Sequence, residues 1–118
     1  MKYMLLLCRD EPVWEKMSPA ERGQAYDAMV QLAEDLRRRG QYLAGSPLHL
    51  SSAATTVRVR DGKRLVTDGP FAETREQLGG YMLIDVKDLD EALAIAARTS
   101  LAATGAVEIR PVRGGRPN

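Results

Sequence analysis

The chain has 118 residues, 16 acidic against 17 basic, for a formal net charge of +1. That length, with no interior Pro/Gly/Ser-rich linker, predicts one domain over residues 1–112 that buries roughly two-thirds of its unfolded surface, followed by a flexible tail over 113–118. The near-cancelled charge excludes the broad attraction that non-specific nucleic-acid or anionic-membrane binding needs. One cysteine, Cys8, and one histidine, His49, exclude an internal disulfide and a closed zinc site within one chain, so no metal or cofactor is expected and the setting is read as cytoplasmic.

Tyr3 to Cys8 is apolar at every position: Met4, Leu6 and Cys8 alternate with Tyr3, Leu5 and Leu7. The apolar run is too short for a signal sequence, lacks small residues before the cysteine and stops at Arg9-Asp10-Glu11, so it reads as a strand covered on both faces. Next, S-P-A-E predicts a helix with Ser18 as N-cap, Pro19 in its first turn and Glu21 closing a capping box. Ala25, Met29, Leu32, Ala33 and Leu36 form its apolar stripe, and Gly40 stops it.

Tyr42 to Leu50 alternates weakly and contains Pro47, which predicts a strand at a sheet edge or one that frays into a loop. In TTVRVRDGKRLVT, Asp61-Gly62 between alternating runs predicts a two-residue hairpin turn, pairing Val57 with Val66 and Val59 with Arg64. Arg58, Arg60 and Lys63 then share the other face with Leu65. Thr74 to Gln77 reads as one helical turn capped by Thr74 and ended by Gly79-Gly80.

Gly80 to Val86 predicts a second central strand, with Tyr81 and Leu83 on one face and Met82, Ile84 and Val86 on the other. Asp88 and Glu91 predict another capping box, and Leu89, Ala92, Leu93, Ala96 and Ala97 a second helical stripe. Val107 to Val112 is the last strand. The order suits an α+β fold, a ferredoxin-like βαββαβ sandwich with an inserted β-hairpin and both helices on one sheet face. Because the two central strands are apolar on the remaining face as well, a homodimer packed sheet to sheet is expected.

VRVRDGKRLVTDGPFAETREQLGGYMLIDV, with LDEAL after it and VEIRPV near the end, resembles the DGPF branch of the YCII-related family over nearly the whole chain. The resemblance implies a dimeric α+β barrel of the ferredoxin-like type and no settled activity. In the YciI-like branch a histidine on the first helix and an aspartate near the dimer cleft are proposed as an acid/base pair, and one relative is a dehydrochlorinase of a chlorinated hydroxyquinol. Here Met29 falls about where that histidine would lie, and Asp68 is the stand-in for the acid. The branch is often encoded beside extracytoplasmic-function sigma factors, which implies a sigma factor as a candidate partner.

Two readings of Asp68 stand side by side. As a turn residue in D-G-P it accepts a backbone N–H two residues on, while Pro70 keeps Gly69 out of the helical region. As a catalytic acid it needs apolar walls that raise its pKa, which Phe71, Tyr81 and a partner's sheet face would supply. His49, in PLHL, titrates near neutrality and is the second catalytic candidate, against its reading as an ordinary strand residue. Gly69, Pro70, Phe71 and Tyr81 are the candidate ligand-binding residues. Cys8 reads as a small buried hydrophobe, and Arg75 as a solvated charge or an anion contact at the cleft mouth.

Two functions follow as expectations. The first is a small-molecule protein that binds an apolar or aromatic compound in a dimer cleft, with acid/base chemistry on Asp68. The alternative is a non-enzymatic accessory module that contacts a regulatory protein such as a sigma factor through its dimer or its basic hairpin.

Overall fold

The computed structural model describes residues 1–114. Of the expected tail over 113–118, residues 115–118 lie outside the described residues, and 113–114 follow the last strand without regular structure. The chain is α+β: β1 (Lys2–Asp10), α1 (Glu11–Lys16), α2 (Pro19–Arg38), β2 (Tyr42–Pro47), a single 3-10 turn (Ser51–Ala53), β3 (Thr55–Arg60), β4 (Lys63–Asp68), β5 (Glu76–Asp85), α3 (Leu89–Ala97), α4 (Ser100–Thr104) and β6 (Ala106–Pro111).

Four strands form an antiparallel sheet in the order β2-β5-β1-β6, an arrangement compatible with a ferredoxin-like fold. β1 and β5 are central, as their apolar runs predict. β2 is an edge strand, and Pro47 ends it where no ladder bond is lost. One face of the sheet carries the core: Tyr3, Leu5 and Leu7 of β1 and Met82 and Ile84 of β5, with Val86 just beyond, pack against Leu32 and Leu36 of α2 and Ala92, Ile95 and Ala96 of α3. Leu5, Leu36 and Ile84 are fully buried, and each contributes about 1.5–3 kcal/mol through lost apolar hydration.

Helix ends follow local chemistry. Ser18 accepts from the Glu21 N–H at 3.1 Å while the Glu21 carboxylate accepts from the Ser18 N–H at 3.0 Å, the full capping box. Gly40, at φ 71°, takes the left-handed position beyond the helix end. Asp88 caps α3 by accepting from Glu91 N–H, but the expected reciprocal bond is replaced: Glu91 Oε1 accepts from the Gln41 amide instead. The α3 stripe also differs from expectation. Ile95 is in the core, whereas Leu89, Leu93 and Ala97 are exposed, because the sheet lies under the Ala92-Ile95-Ala96 line.

The short helix α1 has a legible start, Asp10 accepting from Val13 N–H at 3.1 Å with Pro12 in the first turn, a signal that the reading of Arg9-Asp10-Glu11 as a strand end passed over. The helical turn expected at Thr74 to Gln77 is absent. Thr74 donates its hydroxyl to the Glu76 carbonyl, β5 starts at Glu76, and Gly79-Gly80 lie inside that strand at an irregularity in the β1–β5 register.

β3 and β4 pair only with each other, in the predicted register, around Asp61 and Gly62 at φ 53° and 73°. This hairpin projects from the sheet with Val57 and Val59 about 60% exposed, at 59% and 63%. The radius of gyration is 16.1 Å, against about 13.5 Å for a compact chain of this length.

Candidate functional site

Between α2 and the sheet lies a cleft of about 330 Å³. It opens because the two ends of the α2 stripe behave differently. Leu32 and Leu36 close on the sheet, whereas Ala25, Met29 and Ala33, on the same face, are only half-buried and line the cleft with Tyr26 and Val30. The opposite wall comes from Leu7 and Met82, and the edge from Gly45, Ser46 and Pro47 of β2. This lining is predominantly apolar, with few polar groups, which is the composition of a small-molecule site.

Arg9 closes one end. Alternation along β1 puts it in the row of Tyr3, Leu5 and Leu7, facing the helices, where the pattern would call for an apolar residue. Its guanidinium carbon lies 4.5 Å from the centroid of Trp14, and Arg22 approaches the same ring at 5.3 Å. Arg22 is itself fixed, donating from Nε and Nη2 to the Trp14 carbonyl at 3.1 and 2.9 Å and so satisfying the end of α1. Burial lowers the Arg9 pKa, partly opposed by the nearby Glu11 carboxylate. Glu11 is otherwise engaged, accepting from Ser51 N–H at 2.8 Å and from the Ser51 hydroxyl.

Two glycines make the floor. A Cβ on Gly79 would sit 3.0 Å from Arg9 Cβ and 3.1 Å from its Cζ, and one on Gly45 would meet the Tyr42 hydroxyl at 2.6 Å. Both strand positions are bare so that a long side chain can lie flat on them. At the second end Arg37 covers the Tyr42 ring at 4.4 Å.

The predicted site residues are dispersed. Asp68 ends β4, paired with Thr55, and is exposed; His49 is exposed in the loop after β2; Phe71 is 79% exposed. None of the three lines the cleft. The turn reading of Asp68 needs correction in its detail, since the residue two positions on is Pro70, which has no N–H. The turn is held instead by Gly69, at φ 99°, which donates to the Ala54 carbonyl at 2.7 Å and accepts from the Thr56 hydroxyl at 2.7 Å. Half-buried Pro70 follows it. Tyr81 borders the cleft, although alternation sends its ring with Leu6 and Leu83 toward the other sheet face. Arg75 is tied to Asp10 at 2.8 Å. Cys8 is half-buried on that other face, and its thiol pKa is raised by burial, then by Glu108 and Glu76.

Sequence reasoning missed Arg9, Trp14, Gly45 and Gly79. The available signals were an arginine on the apolar parity of β1 and a lone tryptophan five residues after it. No Asp, Glu or His side chain is among the residues lining the cleft, and among the described residues no three His, Cys, Asp or Glu side chains cluster as a metal site requires. Also among the described residues, no helix is long and apolar enough to cross a membrane.

The family model of the YCII-related domain matches residues 1–114, the full described length. The chain belongs to the YCII-related family. It is also 38% identical over 114 residues to an uncharacterized protein of Rhizobium meliloti (strain 1021), covering 95% of this chain and 92% of that one. In this YCII-related domain the cleft runs past Met29, which lines the cavity with a thioether rather than a titratable group.

Proposed function

We propose that this YCII-related protein binds a small apolar or aromatic molecule in the cleft beneath α2. The observation that carries the reading is the predominantly apolar cavity of about 330 Å³ walled by Trp14, Met29, Val30 and Leu101. With no carboxylate or imidazole on its lining, the cleft is suited to holding a ligand rather than to moving a proton within one chain. Proton transfer by Asp68 belongs to a second cleft, one that a partner copy would complete around the hairpin base.

That second copy is part of the proposal. Met4, Leu6, Tyr81 and Leu83 leave the outer sheet face apolar and half-buried, and the hairpin extends Val57, Val59 and Val66 into solvent. A homodimer that packs these faces together, as in a dimeric α+β barrel, removes both from water.

A thermal-shift screen of aromatic compounds on the wild type and on Ala33→Leu, which narrows the cleft, tests the binding reading. A ligand at a hundred times its Kd adds about 2.7 kcal/mol of stability. The expected result is a rise in Tm for the wild type that Ala33→Leu loses; a ligand that stabilises both proteins equally binds elsewhere and overturns the assignment.

A further inference from the structure

The cleft has a chemical polarity that its apolar walls do not explain. Its two ends carry cations, Arg9 and Arg37, and its lining carries no acid. Arg9 Nε is buried without a hydrogen-bond partner among the described residues, and none of the ion pairs among those residues engages Arg9. Arg9 is half-buried, and its neighbouring carboxylate, Glu11, is engaged by Ser51, so the guanidinium keeps N–H donors for an acceptor that enters the cleft.

The geometry points to an organic acid as the ligand: a carboxylate that docks on the Arg9 guanidinium, with an apolar or aromatic body lying along Met29, Val30 and Leu101. This rests on the cleft being the binding site. Stacking on Trp14 occupies the face of the guanidinium plane and leaves its N–H edge for an acceptor, and a carboxylate matches that edge with two parallel hydrogen bonds. Gly79 fixes the plane from below, since its missing Cβ is what lets the Arg9 side chain lie flat. A carboxylate fits better than a phosphate monoester. With Arg37 at the other end of the cleft, the Arg9 guanidinium alone balances a single negative charge at its own end, whereas the second charge of a phosphate would remain desolvated there.

The test uses 3-phenylpropionate and its neutral amide, 3-phenylpropanamide, titrated into the full chain by isothermal calorimetry. Emission from Trp14, the one tryptophan, is a parallel readout at the site. The expected result is at least tenfold tighter binding of the acid than of the amide by the wild type. Arg9→Met, which keeps the alkyl stem and removes the charge, should erase that preference while changing amide affinity less than threefold. Gly79→Ala, which displaces the guanidinium without deleting it, should weaken the acid selectively. Equal affinity for acid and amide in the wild type overturns the acid assignment and leaves the cleft reading standing. Failure of both compounds to bind overturns the two together. The wild-type ratio decides the matter even if neither variant folds.

Discussion

Arg9 stacks on Trp14 across the corner where β1 becomes α1, with the guanidinium carbon 4.5 Å from the ring centroid. The two residues are five positions apart on either side of the Asp10 N-cap, so the cap fixes the angle at which they meet. Trp14→Leu removes the platform for both Arg9 and Arg22, and should lower stability by about 0.5–2 kcal/mol in urea unfolding. An unchanged urea midpoint would show that the stack holds nothing.

Two glycines should respond with opposite sign. Gly23 is in the interior of α2 with nothing within 4 Å of a built Cβ, so Gly23→Ala should stabilise by about 0.4–1 kcal/mol. Gly79→Ala forces Arg9 to shift in a packed strand and should destabilise by about 1–3 kcal/mol. Chemical denaturation of both variants checks the contrast.

Core position, rather than hydrophobicity, should rank the leucines. Leu36→Ala opens a cavity at a fully buried site and should cost about 2–5 kcal/mol, whereas Leu93→Ala, on the outer side of α3, should stay within about 0.5 kcal/mol of wild type. Similar losses at both positions would mean that Leu93 is covered in solution.

Acid should destabilise the fold through three carboxylates. A hydrogen bond from Arg98 lowers the Asp35 pKa, one from Arg75 lowers that of Asp10, and the cap bonds to Ser18 lower that of Glu21. Each therefore binds its proton more weakly folded than unfolded. Their stabilisation is complete above the unfolded value, roughly 4, and is lost as pH falls through the lower folded values. Urea midpoints should hold from pH 7 to 5 and fall below pH 4, and Asp35→Asn should flatten part of that fall.

The exposed valines of the hairpin and the outer sheet face predict a dimer by light scattering at micromolar concentration. Val57→Lys with Val59→Lys should shift the mass toward the monomer without lowering helix content. A wild-type monomer would remove the second copy from the proposal.

What could be read from the sequence was local. The Ser18 box, the Gly40 stop, the Asp61-Gly62 turn with its register and the two apolar strands all depend on residues a few positions apart, whose backbone preferences act before any tertiary contact forms. Periodicity also identified the α2 stripe, but not that Leu32 and Leu36 would seal it while Ala25, Met29 and Ala33 would stand off from the sheet. Tertiary structure decided that, because the height of a helix over a sheet depends on what lies beneath it. Here the Arg9 side chain, Gly79 and Gly45 come from three strands and meet only in the folded sheet. Glycines that read locally as a helix stop became a strand floor for the same reason: the neighbour that requires a missing Cβ at Gly79 is 70 positions away in the chain.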